Sequence, residues 1–553
     1  MSKTLGFHEE KGVSRQVLVL GIDGATFSLI EPMAKSGKLP NLARLMREGA
    51  HGVLESTLPP VTLPAWVSML TGKNPGKLGI FDLLKRDGYG VEPNGYSYGR
   101  QTPIWKILNR YGIRTGVMNL PGTYPPEEVE GFMVSGMLTP SKLSHYSYPD
   151  NLSEDLDLTV HEYEIDVPQW QYHDKDILVK DLYKLSEKRA RAAEYLIKHI
   201  PCDFYAIVFI SCDRLQHVMW DQKDVVERYW EEMDRMLGKI LRLFDEDTTV
   251  FIVSDHGFGP LERTFYVNEW LRRKGLLRIK REINDRALVK VGRLLERLYR
   301  FLGERELIKP ITGLLTKLMG FDWLQRYTYA YLSNERLEGR VNWRRTKAFS
   351  CVHTPHFGQI YLNMRGRMRE GCVTDDERRG LQNAIIKELT NLPRYETGER
   401  PFVEAYRAED IYNGPHVSDA PDIVFLIDEG RCEIDAKVGE GRLFAEGAPM
   451  TGWKGTHTRD GIFIAKGPGI RPGYLVDKAS ITDIAPTILR IFGIPHQNEM
   501  DGRILDEIFC EDAELLDKEV IELSEKEGME PRELSEEEKA LIEDRLRKLG
   551  YIS

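Results

Sequence analysis

The sequence predicts an α/β protein with a doubly wound, mostly parallel sheet and helices on both faces. Short, wholly apolar segments alternate with longer segments in which apolar residues recur at helical spacing, the pattern of buried parallel strands and their crossover helices. The 553 residues include 24 Tyr, 20 Phe and 9 Trp, enough for a large core. No stretch approaches the ~20 consecutive apolar residues that a membrane span requires.

Five segments have the character of buried strands, because each is a short apolar run that ends in acidic or turn residues. They are 16–23, 203–212, 248–255, 422–428 and 461–469. Amphipathic helices are predicted between them, for example over 39–50 and 184–200. Ligands of such sheets bind at the carboxyl ends of the strands, and Asp23, Asp213 and Asp255 each follow a predicted strand end.

The charge distribution suggests a body with two additions. The net charge is −10, but positions 271–350 hold 20 basic and 8 acidic residues, whereas 511–553 hold 15 acidic and 7 basic residues. We therefore predict an α/β body formed by 1–270 and 346–510. A basic helical insertion, a cap or lid, is predicted over 271–345, and an acidic helical tail follows the body.

The basic insertion has three interpretations. Its leucines form an apolar stripe along a predicted helix, and Arg293, Arg297 and Arg300 lie outside that stripe. This pattern fits a solvated face, a lid that attracts anionic ligands, or peripheral contact with an anionic membrane. Nucleic acid is not expected as a partner, because the insertion lacks the interleaved aromatic residues of a single-strand platform. In the tail, the capping box of Ser535 and Glu538 predicts a helix start.

Cysteine usage limits the metal chemistry. The six cysteines contain no CxxC pair, which argues against a disulfide framework and against a thiolate zinc site. Any metal is therefore expected on His and carboxylate side chains. The polar segment 1–16 lacks the apolar run of a secretion signal, so we expect a cytoplasmic location.

Four separated segments offer oxygen and nitrogen ligands for a metal. Asp213 and His217, at i and i+4, share one face of a predicted helix, and the neighbours Asp255 and His256 point different ways on a strand-to-loop turn. Asp23 follows the first strand, and His457 lies in a glycine-rich loop before the last predicted strand. The candidate ligands are therefore Asp23, Asp213, His217, Asp255, His256 and His457. Each alone is more often structural, but together they suffice for two metal sites with an open position each.

Thr62 precedes a short apolar helix that has Pro64 in its first turn. A threonine at this place commonly caps the helix. The same place also favours phosphate, because free N–H groups and the positive end of the helix dipole face it. A divalent ion on the hydroxyl would make it a nucleophile at neutral pH. Both interpretations are open at this point.

The order of these motifs resembles the alkaline phosphatase superfamily, and most closely its type I phosphodiesterase/nucleotide pyrophosphatase branch. The resemblance spans roughly 15–510 apart from the insertion, with supporting segments at 62–81, 103–127 and 482–494. It implies a metal-dependent hydrolase of small anionic phosphoesters, most directly diesters or pyrophosphates. It also implies that Thr62 attacks the phosphoryl group and forms a phosphothreonine intermediate.

The resemblance further implies two divalent ions, with zinc the usual metal and manganese the metal of mutase relatives. One ion is implied at Asp23, Thr62, Asp255 and His256, and the other at Asp213, His217 and His457. Two other functions stay open. One is a phosphotransferase or mutase of the cofactor-independent phosphoglycerate mutase type, and the other is a metal-stabilised binding protein without turnover.

The chain departs from the branch at one position. An asparagine about twenty residues beyond the nucleophile holds a phosphate oxygen in that branch, and here Asp82 and Leu83 occupy this place. A carboxylate repels a phosphate unless it is protonated or turned away, so the substrate itself is not predicted.

Further residues are candidates for contact with the substrate, although a structural role is at least as common for each. Three histidines near body strands are suited to protonate a leaving group or line the cleft: His353, His356 and His416. Trp453 and Lys454, shortly before the last candidate ligand, are also candidates. The sequence does not indicate an oligomeric state.

Overall fold

The computed structural model describes residues 15–95, 98, 101–167, 174–280, 339–351, 354–439, 441–447, 451–511, 513 and 534–548. Two sets of predictions therefore lie outside the described residues. They are the arginines of the basic insertion (Arg293, Arg297 and Arg300) and His353.

The strands of the described residues are, in chain order, β1 (Val17–Ile22), β2 (Ala50–Glu55), β3 (Leu84–Asp87), β4 (Gly90–Pro93), β5 (Thr115–Leu120), β6 (Gly131–Ser135), β7 (Ser147–Tyr148), β8 (Phe204–Phe209), β9 (Thr249–Val253), β10 (Gly257–Pro260), β11 (Arg263–Tyr266), β12 (Ala348–Phe349), β13 (Gly358–Leu362), β14 (Val403–Arg407), β15 (Ile423–Ile427), β16 (Cys432–Asp435), β17 (Phe444–Glu446), β18 (Gly455–Thr458), β19 (Asp460–Lys466) and β20 (Leu475–Ser480).

The α-helices of the same residues are α1 (Phe27–Lys35), α2 (Pro40–Glu48), α3 (Thr62–Thr71), α4 (Pro75–Leu78), α5 (Ile104–Arg110), α6 (Leu152–Val160), α7 (Lys175–His199), α8 (Ser211–Met219), α9 (Lys223–Leu241), α10 (Val267–Arg273), α11 (Asp375–Leu389), α12 (Ala408–Ile411), α13 (Ile484–Ile491) and α14 (Glu536–Lys548).

One large sheet confirms the predicted fold class. Within the described ranges it contains nine strands in the order β20-β2-β19-β9-β1-β8-β5-β6-β7. The central strands β9, β1, β8, β5 and β6 run parallel, whereas β19 is antiparallel to both of its neighbours and β7 is antiparallel to β6. Strands β1, β8 and β9 are buried along their whole length, as their continuous apolar runs predict, and β5, which the sequence pattern did not predict, is buried in the same way.

Helices cover both faces of this doubly wound sheet. Helices α2, α7, α8 and α9 pack on one another, and α3, α5 and α13 form a second group. Gly21 in β1 allows α3 to approach closely, because a Cβ at this position would lie 2.2 Å from Cη2 of the Trp66 indole. This packing places the first turn of α3, which begins at Thr62, near the end of β1.

A second, four-stranded antiparallel sheet has the order β12-β13-β15-β14. The sequence pattern assigned segment 422–428 to the parallel sheet, and this assignment is wrong, because β15 lies in the second sheet. The reason is that β15 separates two hydrophobic cores. Val424 and Leu426 pack in the main core, whereas Phe425 and Ile427 pack in a second core. Burial on both faces produces the same apolar run as a central parallel strand.

The two ends of the predicted insertion lie side by side. The Lys280 N–H donates to the Arg340 carbonyl at 2.8 Å, and Ile279 pairs with Val341 in an antiparallel bridge. Leu277 near one end and Val341 at the other pack in the second core. The chain therefore leaves and re-enters the second core at one place. The division into a body, an insertion over 271–345 and a tail stays a prediction.

The helix predicted in the tail is present and packs on the body. Ser535 and Glu538 form the expected capping box, with the Ser535 N–H donating to Glu538 Oε2 at 2.8 Å and the Glu538 N–H donating to Ser535 Oγ at 3.2 Å. Ile542 and Leu546 are buried in the main core. No helix among the described residues combines the length and the apolar character needed to cross a membrane. All six cysteines are free thiols.

Candidate metal centre

Three neighbouring parallel strands bring most candidate ligands to one edge of the main sheet. Asp23 directly follows β1, Asp213 lies in the first turn of α8 after β8, and Asp255 follows β9. Because β9, β1 and β8 are adjacent and parallel, their carboxyl ends meet. The sequence argument about strand ends therefore matches the position of these three side chains.

The position of His457 differs from the predicted glycine-rich loop. His457 lies within the short strand β18, which pairs with β10 and sets His457 opposite Phe258. Gly455 permits this packing, since a Cβ there would lie 2.4 Å from Cε1 of Phe258 and 2.7 Å from the Gln216 carbonyl oxygen. Sequence periodicity could not reveal a strand of four residues.

One group of ligand atoms surrounds Asp213. Its Oδ1 lies 3.1 Å from Nε2 of His457 and 3.3 Å from Nε2 of His217, and the two Nε2 atoms are 3.1 Å apart. All three side chains are fully buried. The i, i+4 spacing of Asp213 and His217 on α8 acts as predicted, because it places both side chains on one face.

A second group of ligand atoms surrounds His256. Its Nε2 lies 3.2 Å from Asp255 Oδ2, 3.5 Å from Asp23 Oδ1 and 3.4 Å from Thr62 Oγ1. The N-cap position of α3 is Val61, and Thr62 is the first helical residue, so its hydroxyl does not serve as the helix cap. The hydroxyl instead faces the second group of ligand atoms.

Backbone carbonyls determine the tautomer of the three candidate ligand histidines. In His217, His256 and His457, Nδ1 lies 2.9–3.0 Å from a carbonyl oxygen. The acceptors are the carbonyls of Gly455, Gly257 and Pro60, respectively. A carbonyl only accepts, so Nδ1 carries the proton and each Nε2 presents a lone pair to the centre. Metal-binding histidines are commonly oriented by such outer hydrogen bonds.

The electrostatics of the centre suit divalent cations. Burial, together with the neighbouring carboxylates, raises the pKa of both Asp23 and Asp255 well above the usual range. Burial also opposes ionisation of Asp213, but the adjacent His217 and His457 hold its pKa well below the usual range. Within the described part of the chain, Asp23 Oδ1 and Asp255 Oδ2 are buried without a hydrogen-bond partner. Bound cations would satisfy these oxygens and offset the repulsion between carboxylates.

Sequence reasoning missed Arg214 as part of the centre. Its buried guanidinium donates from Nη1 to Asp213 Oδ2 at 2.8 Å and from Nη2 to Asp166 Oδ2 at 3.1 Å. Arg214 therefore fixes the carboxylate that faces two histidines. Its position next to Asp213 in the sequence was the available signal, but Asp166 is 48 residues away and offered none.

The residues predicted to contact the substrate differ in whether they adjoin the candidate ligands. His356 is buried beside His457, and Trp453 packs on the His217 ring with centroids 3.9 Å apart. His416 is partly exposed, with Nδ1 3.5 Å from an Asp419 carboxylate oxygen, and belongs to none of the candidate metal-binding groups among the described residues. Lys454 points toward Asp221, with Nζ 3.8 Å from an Asp221 carboxylate oxygen.

Asp82 is engaged by protein donors and does not present a free carboxylate. Its Oδ1 accepts from the Leu83 N–H at 2.7 Å and from the Thr354 hydroxyl, and its Oδ2 accepts from Gln359 Nε2 at 2.8 Å. Burial raises the pKa of Asp82 to about 6, although these hydrogen bonds oppose the rise. Asp82 thus holds segment 354–359, which sequence reasoning did not anticipate.

A mostly parallel sheet with a cluster of Asp and His at the carboxyl ends of its strands is the arrangement of an α/β enzyme with its site at that edge. The chain belongs to the type I phosphodiesterase/nucleotide pyrophosphatase family, because the sequence model of that family matches residues 17–441. No curated protein matches the chain. Three groups of His and Asp within the described residues are close enough to hold a metal ion.

Several solved structures are similar to this chain at low sequence identity. Phosphonoacetate hydrolase from Sinorhizobium meliloti 1021, in complex with phosphonoformate, is 15% identical with a TM-score of 0.53, over 85% of this chain and 94% of that chain. Human ectonucleotide pyrophosphatase/phosphodiesterase 5 is 14% identical with a TM-score of 0.48, over 89% of this chain and 99% of that chain. An inactive form of the murine protein, in complex with AMP, is 13% identical with a TM-score of 0.49, over 90% of this chain and all of that chain.

Proposed function

We propose that the protein hydrolyses a small anionic phosphodiester or pyrophosphate, with Thr62 as the nucleophile and two divalent ions as cofactors. The observation that carries this proposal is the position of the Thr62 hydroxyl. It lies at the start of α3 and 3.4 Å from His256 Nε2, beside carboxylate oxygens that lack hydrogen-bond partners among the described residues. Family membership supports the same reaction class.

The ligand groups divide between two ions. We assign one ion to Asp23, Thr62, Asp255 and His256, and the other to Asp213, His217 and His457. The donor set of imidazole nitrogen and carboxylate oxygen without thiolate suits zinc, and manganese is the alternative. When bound, two such ions polarise the phosphoryl group and neutralise charge on its oxygens.

The covalent steps are attack by the Thr62 oxygen and then attack by water. The Thr62 oxygen attacks phosphorus in line with the leaving oxygen, which departs as the Thr62–phosphorus bond forms. The positive end of the α3 dipole favours the phosphoryl oxygens at this position. The proton that Thr62 Oγ1 loses in this step ends, through solvent, on the leaving oxygen. Water then attacks phosphorus from the side that the leaving group vacated and breaks the Thr62–phosphorus bond. A diester substrate thus releases a phosphomonoester, and a proton of the attacking water restores the Thr62 hydroxyl.

A panel of phosphoesters tests the proposal. The panel contains a monoester, a diester, a nucleoside triphosphate, a dinucleotide and a glycerophosphodiester, each assayed with added zinc or manganese. We expect turnover of a diester or pyrophosphate, dependent on metal and abolished by Thr62→Ala. Transfer of the phosphoryl group to an added alcohol without net hydrolysis would instead support a phosphotransferase. Lack of turnover of every ester, with metal bound, would contradict the proposal.

A cytoplasmic location and a lid or membrane role for the basic insertion stay predictions from the sequence.

A further inference from the structure

His356 lies in the buried segment 354–357, which leads into β13 of the second sheet. Its side chain is 1% exposed. The ring stacks on His457 with centroids 3.6 Å apart and planes 11° apart, and on Trp453 with centroids 5.2 Å apart and planes 15° apart. A nitrogen of His356 also lies within 4.8 Å of ligand atoms of His217 and His457. His356 therefore adjoins the metal centre, although the proposed ligand sets do not include it.

The stack with His457 argues against a ligand role. A metal binds an imidazole nitrogen along its lone pair, in the plane of the ring, at about 2.0–2.1 Å for zinc. Because the two rings are nearly parallel with centroids 3.6 Å apart, no nearby ion can lie in the plane of both rings at once. The ion assigned to His457 is therefore not accessible to His356 in the observed orientation, despite the short distance.

The hydrogen bond of His356 also differs from those of the ligand histidines. Its Nδ1 lies 3.0 Å from Thr456 Oγ1, a hydroxyl, whereas the ligand histidines each meet a backbone carbonyl. A hydroxyl donates as well as accepts, so Thr456 permits the tautomer with the proton on Nε2. No described residue provides a hydrogen-bond partner for this buried Nε2 atom. An unpaired buried polar group is costly, which suggests that its partner arrives with the substrate.

The segment that carries His356 is held on both sides. Thr354, two residues before it, donates to Asp82 Oδ1, and Gln359, three residues after it, donates to Asp82 Oδ2 at 2.8 Å. Phe357 packs in the main core and Ile360 in the second core. The imidazole is thus positioned by packing and by two hydrogen bonds, as a preorganised donor requires.

We infer that His356 is a catalytic residue that donates a hydrogen bond from Nε2 to an oxygen of the phosphoryl group under attack. Phosphoryl oxygens accept hydrogen bonds, so the substrate selects the Nε2–H tautomer, with Thr456 donating to Nδ1. No covalent bond to His356 forms or breaks in this role. The inference rests on the proposed function, because it assumes a phosphoryl group beside Thr62.

Two near-isosteric variants test the inference. The amide nitrogen of Gln approximates the position of Nε2, whereas that of Asn approximates Nδ1. Loss of one preorganised donor to a transition-state oxygen typically lowers kcat by about 10²–10³-fold. We expect this loss in His356→Asn with a chromogenic diester, and recovery of at least a tenth of the wild-type kcat in His356→Gln. His199→Asn, at the exposed C-terminal end of α7 with Nδ1 2.8 Å from the Tyr195 carbonyl oxygen, serves as the matched control with unchanged kcat.

Metal content and phosphate binding separate the alternatives. We expect both His356 variants to retain the wild-type metal content by elemental analysis, and His356→Asn to bind inorganic phosphate more weakly by calorimetry. Loss of metal from His356→Asn would show that His356 is a ligand, and unchanged kcat and phosphate affinity would show that it is structural. Either result overturns the inference. If the wild-type protein hydrolyses no ester, the proposed function fails, and phosphate affinity alone then decides the role of His356.

Discussion

The nine-stranded sheet and the four-stranded antiparallel sheet contribute to the candidate metal centre in different ways. The nine-stranded sheet provides Asp23, Asp213 and Asp255 from the ends of its parallel strands. The antiparallel sheet contributes no ligand of the proposed sets, but the segment leading into its strand β13 places His356 against His457. Parallel strands gather side chains because their ends converge, whereas an antiparallel sheet reaches a site through a connecting segment.

The difference predicts that changes at the main-sheet edge abolish the nucleophile or metal binding, whereas changes at the junction of the sheets alter kcat or stability and leave the metal content intact. The following predictions test this division, from the largest expected effect to the smallest.

Thr62→Ala should lower kcat more than about 10³-fold, which is roughly 4 kcal/mol of barrier, because the nucleophile is lost. Thr62→Ser retains the hydroxyl and should keep substantial activity. Steady-state kinetics with a diester, together with elemental analysis, measures both effects. A Thr62→Ala variant with more than about a tenth of the wild-type rate, a barrier change of at most ~1.4 kcal/mol, would place the nucleophile elsewhere.

His217→Ala and His457→Ala should each empty the ion site that contains Asp213, because removal of one imidazole leaves too few protein ligands. Elemental analysis should then show about one ion fewer per chain than in the wild type. His416→Ala is the control, since this partly exposed histidine belongs to none of the candidate metal-binding groups among the described residues. Wild-type metal content in both ligand variants would refute the assignment.

Arg214→Met should lower the free energy of unfolding by about 3–5 kcal/mol, because Asp166 and Asp213 would then lose a buried partner. Urea unfolding of the metal-free protein measures this loss. The double variant Arg214→Met with Asp166→Leu removes one uncompensated charge and should recover part of it. Equal stability of Arg214→Met and the wild type would contradict a structural role for this network.

Asp82→Asn should change how stability depends on pH. The pKa of Asp82 is raised from 3.8 to about 6 in the folded protein. Protonated Asp82 therefore contributes its full share of the unfolding free energy below about pH 3.8, and this contribution is lost as the pH rises through 6. The Asn variant lacks this loss. From pH 5 to pH 8, the wild type should therefore lose about 1–2 kcal/mol of unfolding free energy relative to the Asn variant. Parallel pH profiles of the two proteins would contradict a buried, titrating Asp82.

Much of the fold and of the candidate centre was accessible from local patterns. The continuous apolar strands predicted the parallel sheet, and the i, i+4 pair Asp213 and His217 predicted a shared helix face, because both features depend only on neighbouring residues. The position of His457 was not accessible in the same way. Its strand β18 exists only by pairing with β10, about 200 residues away in the sequence.

The sequence by itself determined the family, the α/β class and the residue types that gather at the strand ends, since composition, periodicity and motif order are properties of the chain. Only the tertiary structure decided which residues surround them. Arg214 meets Asp166, Asp82 holds the segment of His356, and β15 divides two cores. These contacts join segments far apart in the chain, and their free energy comes from burial and pairing that no local pattern encodes.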